Sequence, residues 1–202
     1  MNRYNRHIIL SEVGQQGQDK LSNAKVLVIG AGGLGSPVLQ YLAAAGIGKL
    51  GIIDFDIVEE SNLQRQVLFG TSSLGMNKAI AAKKRLEDLN QTISIDAISE
   101  KLTTENALQL FKQYDIVVDG SDNFATRYLV NDVAILCNKP FVYGAIYKFE
   151  GQVSVFNFNK GPSYRCLFPN PPKEGSVANC SEVGVLGVLP GIIGTMMANE
   201  VI

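Results

Sequence analysis

A glycine-rich turn at residues 30–35 (GAGGLG) is the first stretch of the chain whose residue types suggest chemistry. It follows a short apolar run, residues 26–29, and precedes a segment from Ser36 onward in which apolar residues recur at helical spacing. In such a strand–turn–helix context, glycines let a phosphate approach the backbone N–H groups at the positive end of the helix. The turn does not say which nucleotide binds. The predicted phosphate-binding glycines are Gly30, Gly32, Gly33 and Gly35.

Two carboxylates follow the next apolar run along the chain. Asp54 comes directly after residues 50–53 and about 20 residues after Gly35, where a carboxylate can accept both hydroxyls of a ribose. Asp56 follows two residues later and belongs to the same candidate site. The alternative for Asp54 is a strand-end residue that caps the turn or faces water. Because NAD and ATP both contain such a ribose, Asp54 does not distinguish the two nucleotides.

A polar cluster and a lysine further along the chain do distinguish them. A dinucleotide pyrophosphate is held mainly by backbone groups and the helix dipole. An ATP that is split between its α and β phosphates also needs cationic side chains where charge develops. Arg65 offers a planar fork and Lys78 a point charge at the start of a predicted helix, unless Lys78 is merely one solvated residue on a charged helix face. The full set is Asn62, Arg65, Gln66 and Lys78.

Asp122 stands in a loop, residues 119–123, that follows a fourth apolar run. A carboxylate there can hold Mg²⁺, which prefers one or two carboxylates together with phosphate oxygens. On its own, an aspartate in a turn more often forms an Asx turn. The magnesium assignment therefore depends on whether the rest of the site assembles around it.

Apolar runs alternate with helical patterns along most of the chain. This alternation predicts an α/β fold: a doubly wound, mostly parallel sheet with a Rossmann-like ATP-binding half and an antiparallel extension. The candidate residues follow strand C-termini, so we expect them to meet in one crevice. The predicted strands are residues 26–29, 50–53, 93–98, 116–118, 140–144 and 151–158. The predicted helices begin at Ser36 and cover residues 76–89, 107–111 and 125–136.

The composition bounds the class of protein. A chain of 202 residues can form one α/β domain, and 18 basic against 19 acidic residues give no bulk charge that would attract nucleic acid or an anionic membrane. Its three cysteines, Cys137, Cys166 and Cys180, form no disulfide framework, which is typical of a reducing cytosol. No apolar region follows the charges of the N-terminus, so we expect a cytoplasmic protein without a signal peptide.

An apolar stretch near the end of the chain, residues 183–198, resembles a membrane span. It is shorter than the roughly 20 residues that a span needs and it contains Pro190 and several glycines. A buried helix or a subunit interface is the better interpretation. The sequence then stops at Ile202 without a cap or turn signal, so we expect the natural protein to continue.

Six motifs in order along the chain resemble one known family. The chain resembles the family that includes MoeB and ThiF, the bacterial relatives of ubiquitin-activating enzymes, from about residue 3 to the last residue. Together the six matches make coincidence an implausible explanation. The motifs are RYNRHIIL at 3–10, GAGGLG at 30–35, DFD at 54–56, SNLQRQ at 61–66, SDN at 121–123 and EGQ at 150–152.

The resemblance implies adenylation of the C-terminal Gly-Gly carboxylate of a ubiquitin-like sulfur carrier, with MgATP as cosubstrate and pyrophosphate as product. Asp54 would bind the ribose, and Asp122 would position Mg²⁺. Arg6 would reach into the ATP site of a partner subunit, which implies a homodimer. Residues 1–202 would form a single adenylation domain with a crossover loop at 159–180. The residues implied to line the phosphates are Asn62, Arg65, Gln66 and Lys78.

The cysteines depart from the family pattern. Many members bind a structural zinc through two C-x-x-C pairs, but this chain has Ser163 where the first cysteine would stand, and the second pair would fall beyond Ile202. A hydroxyl is a poor zinc ligand, so we expect Cys166 to be a lone thiol without zinc. Cys180 matches a cysteine that in some branches joins covalently to the carrier. A small apolar residue packed under the loop is an equally good interpretation of Cys180.

Two other functions compete with adenylation. An NAD(P)-dependent oxidoreductase would use the glycine turn and Asp54, but would leave Arg6, Arg65, Lys78 and Asp122 without a role. A non-catalytic dimer partner of an activating enzyme would not need the complete set of nucleotide residues. The sequence does not choose between carriers for molybdopterin and for thiazole (thiamine) synthesis.

Overall fold

The computed structural model describes residues 3–173 and 184–202. The strands are β1 (Lys25–Ile29), β2 (Lys49–Ile53), β3 (Ser94–Ile98), β4 (Ile116–Asp119), β5 (Phe141–Tyr147) and β6 (Glu150–Phe156). The helices are α1 (Asn5–Ile8), α2 (Gly14–Asn23), α3 (Gly35–Ala45), α4 (Lys78–Leu89), α5 (Thr104–Phe111), α6 (Phe124–Leu136), α7 (Tyr164–Leu167) and α8 (Val188–Val201). Two single turns of 3-10 helix, Glu60–Asn62 and Thr71–Ser73, lie between β2 and α4.

The strands form one sheet in the order β3-β2-β1-β4-β5-β6. Every neighbouring pair is parallel except β5 and β6, which form an antiparallel hairpin in which Tyr147 pairs with Glu150. The predicted doubly wound, mostly parallel sheet with an antiparallel extension is therefore confirmed. The order of the strands reverses between β1 and β4, and at such a switch point a crevice opens beyond the carboxyl ends of the strands.

Two apolar layers cover the sheet, one on each face. Successive residues of a strand point to opposite faces, so Val28 contributes to one layer and Leu27 to the other. Helices α3, α4 and α8 supply the first layer, and α5, α6 and α7 supply the second. This burial on both faces explains why the parallel strands read as continuous apolar runs.

The N-terminal segment ahead of β1 contains two helices that are absent from the sequence prediction. It forms α1 and α2 and is fixed by Tyr4, whose hydroxyl accepts a hydrogen bond from Asn90 Nδ2 at 2.9 Å. A Cβ added to Gly46 would overlap the Tyr4 ring. Sequence periodicity misses this because the helices are short and polar, and their anchors come from distant parts of the chain.

The structure shows a helix in the crossover loop and another in the apolar C-terminal stretch, α7 and α8. In the described part of the loop predicted at 159–180, Tyr164–Leu167 forms the short helix α7, and the Tyr164 N–H donates to the buried Asn131 Oδ1 at 2.9 Å. The apolar stretch forms α8, which buries Ile193 and Met197 and exposes Ile192 and Met196. Among the described residues, no helix has both the length and the apolar character to cross a membrane.

Candidate functional site

The glycine turn between β1 and α3 is tight, and its first and last glycines, Gly30 and Gly35, lie in contact. Gly30 has φ +86°, a conformation that favours glycine, and its N–H donates to Ile53 O at 2.9 Å. A Cβ on Gly35 would overlap the carbonyl oxygen of Gly30, so that position admits no side chain. Gly32 is different, because the nearest atom to a Cβ there is Gln66 Nε2 at 3.8 Å. The turn is thus sterically closed at its base and open beside Gly32.

Asp54 ties this turn to the end of β2. It is buried, and its Oδ2 accepts a hydrogen bond from Ala31 N at 2.7 Å while its Oδ1 accepts one from Asp56 N at 2.9 Å. Burial raises the pKa of the Asp54 carboxyl, against the two backbone hydrogen bonds and the nearby Lys78, which favour the ionised form. Each oxygen keeps a lone pair, so the carboxylate can still accept ribose hydroxyls.

Lys78 is not a solvated residue of a charged helix face, because only 7% of it is exposed. Its Nζ lies 3.0 Å from Asp56 Oδ2, and its backbone N–H donates to Asp56 O at 2.8 Å. Asn77 caps α4 by accepting from Ile80 N at 3.2 Å, and its Nδ2 donates to Asp54 O at 3.0 Å. This cap directs the start of α4, and with it the Lys78 ammonium, towards Asp54.

The segment after β2 brings its polar residues to the glycine turn. Asn62 is buried and accepts a hydrogen bond from Glu59 N, which shapes the 3-10 turn. Arg65 Nη1 donates to Ser61 O at 3.0 Å, and its Cγ lies 3.7 Å from the Cβ position of Gly33. The buried Gln66 faces Gly32, as described above. The structure therefore brings together Gly32, Gly33, Asp54, Asp56, Asn62, Arg65, Gln66 and Lys78.

The chain belongs to the ThiF family. This conclusion rests on the model of that family, which matches residues 4–202, and the recognised resemblance is confirmed. Among similar proteins, a sulfur carrier protein adenylyltransferase of Thermus thermophilus is 55% identical over 99% of this chain and 76% of that protein. MOCS3 of Xenopus laevis, named an adenylyltransferase and sulfurtransferase, is 54% identical over 99% of this chain. MoeZ of Mycobacterium tuberculosis, named a probable adenylyltransferase/sulfurtransferase, is 52% identical over 99% of this chain.

Solved structures support the same family relationship. A crystal structure of E. coli MccB with ATP has a TM-score of 0.82 and 28% identity, covering 100% of this chain and 62% of that chain. MccB with MccA-N7isoASN has a TM-score of 0.83 at 28% identity, covering 100% of this chain and 63% of that chain. The chain spans 44% of the Xenopus MOCS3 and 52% of MoeZ, about half the length of these relatives.

At the end of β4, the ThiF-family chain carries functional candidates that sequence reasoning missed. Asp119 ends the strand with 1% of its surface exposed, and its Oδ1 accepts from Ser121 N at 3.0 Å. Burial raises the pKa of the Asp119 carboxyl, although Ser121 and Arg127 favour its ionised form. The predicted Asp122 is exposed in the same loop. The signal for Asp119 was present in the sequence, because a carboxylate closes an otherwise apolar strand.

Arg127 was also missed, although it lies in the first turn of α6, directly after the Asp122 loop. Asn123 caps this helix by accepting from Thr126 N at 2.9 Å. The Arg127 guanidinium carbon lies 5.2 Å from the centre of the Phe124 ring and 5.6 Å from that of Tyr143. Its position four residues after a cap was visible in the sequence, but its contact with Tyr143 on β5 was not.

Two predicted residues that the structure describes, Arg6 and Cys166, do not join the crevice. Arg6 lies exposed on α1, beside the Tyr4 anchor. Cys166 is exposed, and its Sγ lies 3.4 Å from the Ser163 hydroxyl, a contact that lowers the pKa of the thiol. The prediction that it binds no zinc stays a prediction. Cys180 lies outside the described residues, so its two interpretations stay open.

Proposed function

We propose that this chain is an ATP-dependent adenylyltransferase that activates the C-terminal Gly-Gly carboxylate of a ubiquitin-like sulfur-carrier protein. The observation that carries the proposal is the convergence of Arg65 and Lys78 on the glycine turn beside Asp54. The printed names of the Thermus, Xenopus and Mycobacterium relatives support the same activity. Residues 1–202 would act as a single adenylation domain in the cytoplasm.

The reaction follows from the charges at the crevice. A carboxylate oxygen of the carrier attacks the α-phosphorus of ATP, the bond from that phosphorus to the bridging oxygen of the β-phosphate breaks, and pyrophosphate leaves with the bond electrons. Asp54 orients the ribose. Arg65 and Lys78 stabilise the negative charge that develops on the phosphates, and backbone N–H groups of the glycine turn add to this stabilisation. The product is an acyl-adenylate of the carrier.

Asp122 is the residue that would hold Mg²⁺. The fit is chemically reasonable, because Asp122 is exposed at the crevice mouth and Mg²⁺ needs only one or two protein carboxylates when phosphate oxygens and water complete its shell. When bound, the ion would neutralise phosphate charge. The buried Asp119, the last residue of β4, would act on the electrostatics of this loop.

We also propose that the active unit is a homodimer in which Arg6 serves the partner's crevice. Tyr4 is anchored beside Gly46 and Thr92, which precede the amino ends of β2 and β3, and its hydroxyl lies 3.0 Å from Thr92 Oγ1. The crevice is at the carboxyl ends of the same strands, about 16 Å away for a five-residue strand. An anchored Arg6 is therefore too far from its own crevice to contact ATP there.

The two competing functions fit less well. An oxidoreductase leaves Arg65 and the buried Lys78, which pairs with Asp56, without a role at the phosphates. A non-catalytic partner subunit has no reason to keep the complete set of nucleotide-binding groups around the glycine turn. Both alternatives remain outcomes of the tests below.

ATP–pyrophosphate exchange with MgATP tests the proposal. The assay is run alone and with a Gly-Gly-terminated carrier of the molybdopterin pathway or of the thiazole pathway. We expect exchange only when a carrier is present, and the carrier that works identifies the pathway. A protein that binds ATP but exchanges with neither carrier would contradict the proposed activity.

Mixing two inactive variants tests the homodimer. Arg6→Ala and Arg65→Ala should each be inactive alone, whereas a mixture should regain part of the exchange activity, because one crevice of each heterodimer then contains both arginines. The matched control mixes Arg65→Ala with Arg65→Lys, which restores no complete crevice. Absence of rescue in a mixture that demonstrably exchanges subunits would refute the trans role of Arg6.

A further inference from the structure

Unpartnered buried polar atoms concentrate at the crevice. Within residues 3–173 and 184–202, the buried side-chain nitrogen and oxygen atoms without a hydrogen-bond partner are Gln66 Oε1, Asp119 Oδ2, Ser121 Oγ and Arg127 Nε. Buried polar groups in folded proteins nearly always find partners, because an unmade hydrogen bond is costly. Gln66 faces the glycine turn, and the other three residues follow the carboxyl end of β4. This second group lies at the β4 end of the crevice, before and after Asp122 in the chain.

Arg127 on α6 differs from Arg165 on α7, whose charge is paired within the fold. Arg165 forms a two-pronged pair with Asp132, at 2.7 Å from Nε to Oδ1 and 2.8 Å from Nη2 to Oδ2, and lies over the Tyr128 ring. Arg127 also lies against aromatic rings, those of Phe124 and Tyr143, but has no hydrogen bond or ion pair with any residue that the structure describes. Within the described residues, Arg165 forms an ion pair, whereas Arg127 interacts with Asp119 through its charge without pairing with it.

The position of Arg127 along the sheet separates it from the nucleotide. Asp54 ends β2 and the glycine turn ends β1, so ribose and phosphates occupy that side of the switch point. Tyr143 lies on β5, in register with Asp119 on β4. With strands about 4.8 Å apart, the ring beneath Arg127 is roughly 10 Å from the end of β1. That distance places Arg127 where a second substrate approaches the α-phosphate from the β4–β5 side.

We propose that the β4–β5 end of the crevice is the subsite for the acyl carboxylate, and that Arg127 is the cation that binds it. This inference rests on the proposed adenylation. A guanidinium matches a carboxylate in shape and charge, and stacking between two rings restricts the side chain before the substrate arrives. Arg127 would hold one carboxylate oxygen and direct the other at the α-phosphorus.

Asp119 and Ser121 complete this subsite as positioning residues. The buried Asp119 carboxylate supplies a negative charge near Arg127 when no substrate is bound, without forming an ion pair with it. An incoming carboxylate would be the closer and better-aligned anion. The nucleotide phosphates do not need Arg127, because Arg65, Lys78 and the glycine turn already surround their expected position.

The test compares carriers that end in a free carboxylate with the same carriers ending in a carboxamide. Binding is measured by titration calorimetry in the presence of an ATP analogue with a methylene bridge between the α and β phosphates, which prevents turnover. We expect the wild-type chain to prefer the carboxylate by about 10- to 100-fold and Arg127→Met to lose most of this preference. Arg127→Lys should keep part of it, because the charge remains.

The affinity for the ATP analogue and the carrier dependence of exchange separate the possible roles. Arg127→Met should bind the analogue with near wild-type affinity but need more carrier for exchange. Arg165→Met is the matched control, and it should lower the melting temperature while keeping the carboxylate preference. Arg127→Met that keeps the preference, or that loses analogue affinity instead, would overturn the assignment. If wild-type protein neither exchanges nor binds either carrier, the proposed function fails first and the assignment falls with it.

Discussion

The two ends of the crevice are built differently. At the β1–β2 end, Asp54 already holds the N–H groups of Ala31 and Asp56, and Lys78 is paired with Asp56. At the β4–β5 end, Asp119 Oδ2, Ser121 Oγ and Arg127 Nε are buried without partners. Apart from the unpartnered Gln66 Oε1 at the glycine turn, the first end therefore has its geometry fixed before any ligand binds. At the second end, the buried polar atoms find hydrogen-bond partners only when a bound ligand supplies them.

This difference indicates a division of labour between the ends. A preorganised site suits a nucleotide whose ribose and phosphates are the same in every turnover. An end whose buried polar atoms have no hydrogen-bond partners suits a substrate that arrives on another protein, because the bound substrate then supplies those partners. The predictions below test each end separately, beginning with the largest expected effect.

Arg65→Ala should remove the strongest chemical contribution of the β1–β2 end. We expect exchange activity to fall by about 100- to 1,000-fold, corresponding to roughly 3–4 kcal/mol of lost transition-state stabilisation. The free energy of unfolding should change by less than about 1 kcal/mol, because the side chain of Arg65 makes a single hydrogen bond within the described residues, to Ser61 O. Carrier-stimulated exchange and urea denaturation measure the two effects.

Arg85→Ala, which removes an exposed ion pair with Asp88, is the control. Near-normal exchange in Arg65→Ala would remove Arg65 from the mechanism.

Two glycines of the same turn should respond in opposite ways. Gly35→Ala should destabilise the fold by about 2 kcal/mol or more, because its Cβ would overlap Gly30 O and force the turn to move. Gly32→Ala should fold normally, since its Cβ would meet only Gln66 Nε2 at 3.8 Å. Its methyl group should instead weaken ATP binding by occupying phosphate space. Melting temperatures and ATP titrations distinguish the variants, and a Gly32→Ala protein with unchanged ATP affinity would show that phosphates do not lie there.

Asp119→Asn should change how stability depends on pH, the smallest of these effects. Burial raises the pKa of Asp119 in the folded state, so its contribution to stability is present at pH below its unfolded value and is lost as pH rises through the folded value. The wild-type chain should therefore lose this contribution above pH about 4, and the variant should not. Asp54, whose pKa is also raised, is present in both proteins and cancels in the difference. Parallel pH profiles of unfolding free energy would contradict a buried, titrating Asp119.

The nucleotide end was predictable from sequence because local signals define it. The glycine spacing, the aspartate after a strand and the Arg65 motif each carry their meaning within a few residues, and the fold follows from alternating apolar patterns. Lys78 was harder, since its burial depends on the Asn77 cap and on Asp56, which lies 22 residues away along the chain. Sequence alone could not decide between a solvated lysine and a buried one.

The β4–β5 end was not predictable for the opposite reason. Arg127 and Tyr143 come together only because α6 packs against β4, the neighbour of β5 in the sheet, and periodicity gives no information about such contacts. The same holds for Tyr4, Asn90 and Gly46, which anchor the N-terminal helices through contacts between segments far apart in the chain. A residue such as Arg127, whose Nε is buried without a partner among the described residues, cannot be recognised until its neighbours in the fold are known.

A crystal structure with a bound acyl-adenylate analogue tests the division of the crevice most directly. The analogue joins a Gly-Gly acyl group to adenosine through a sulfamate, so it contains both substrates in one molecule. We predict that its ribose hydroxyls contact Asp54 and that its acyl carbonyl oxygen lies within hydrogen-bond distance of Arg127. An acyl group bound away from the β4–β5 end, with Arg127 still lacking a partner, would contradict the account.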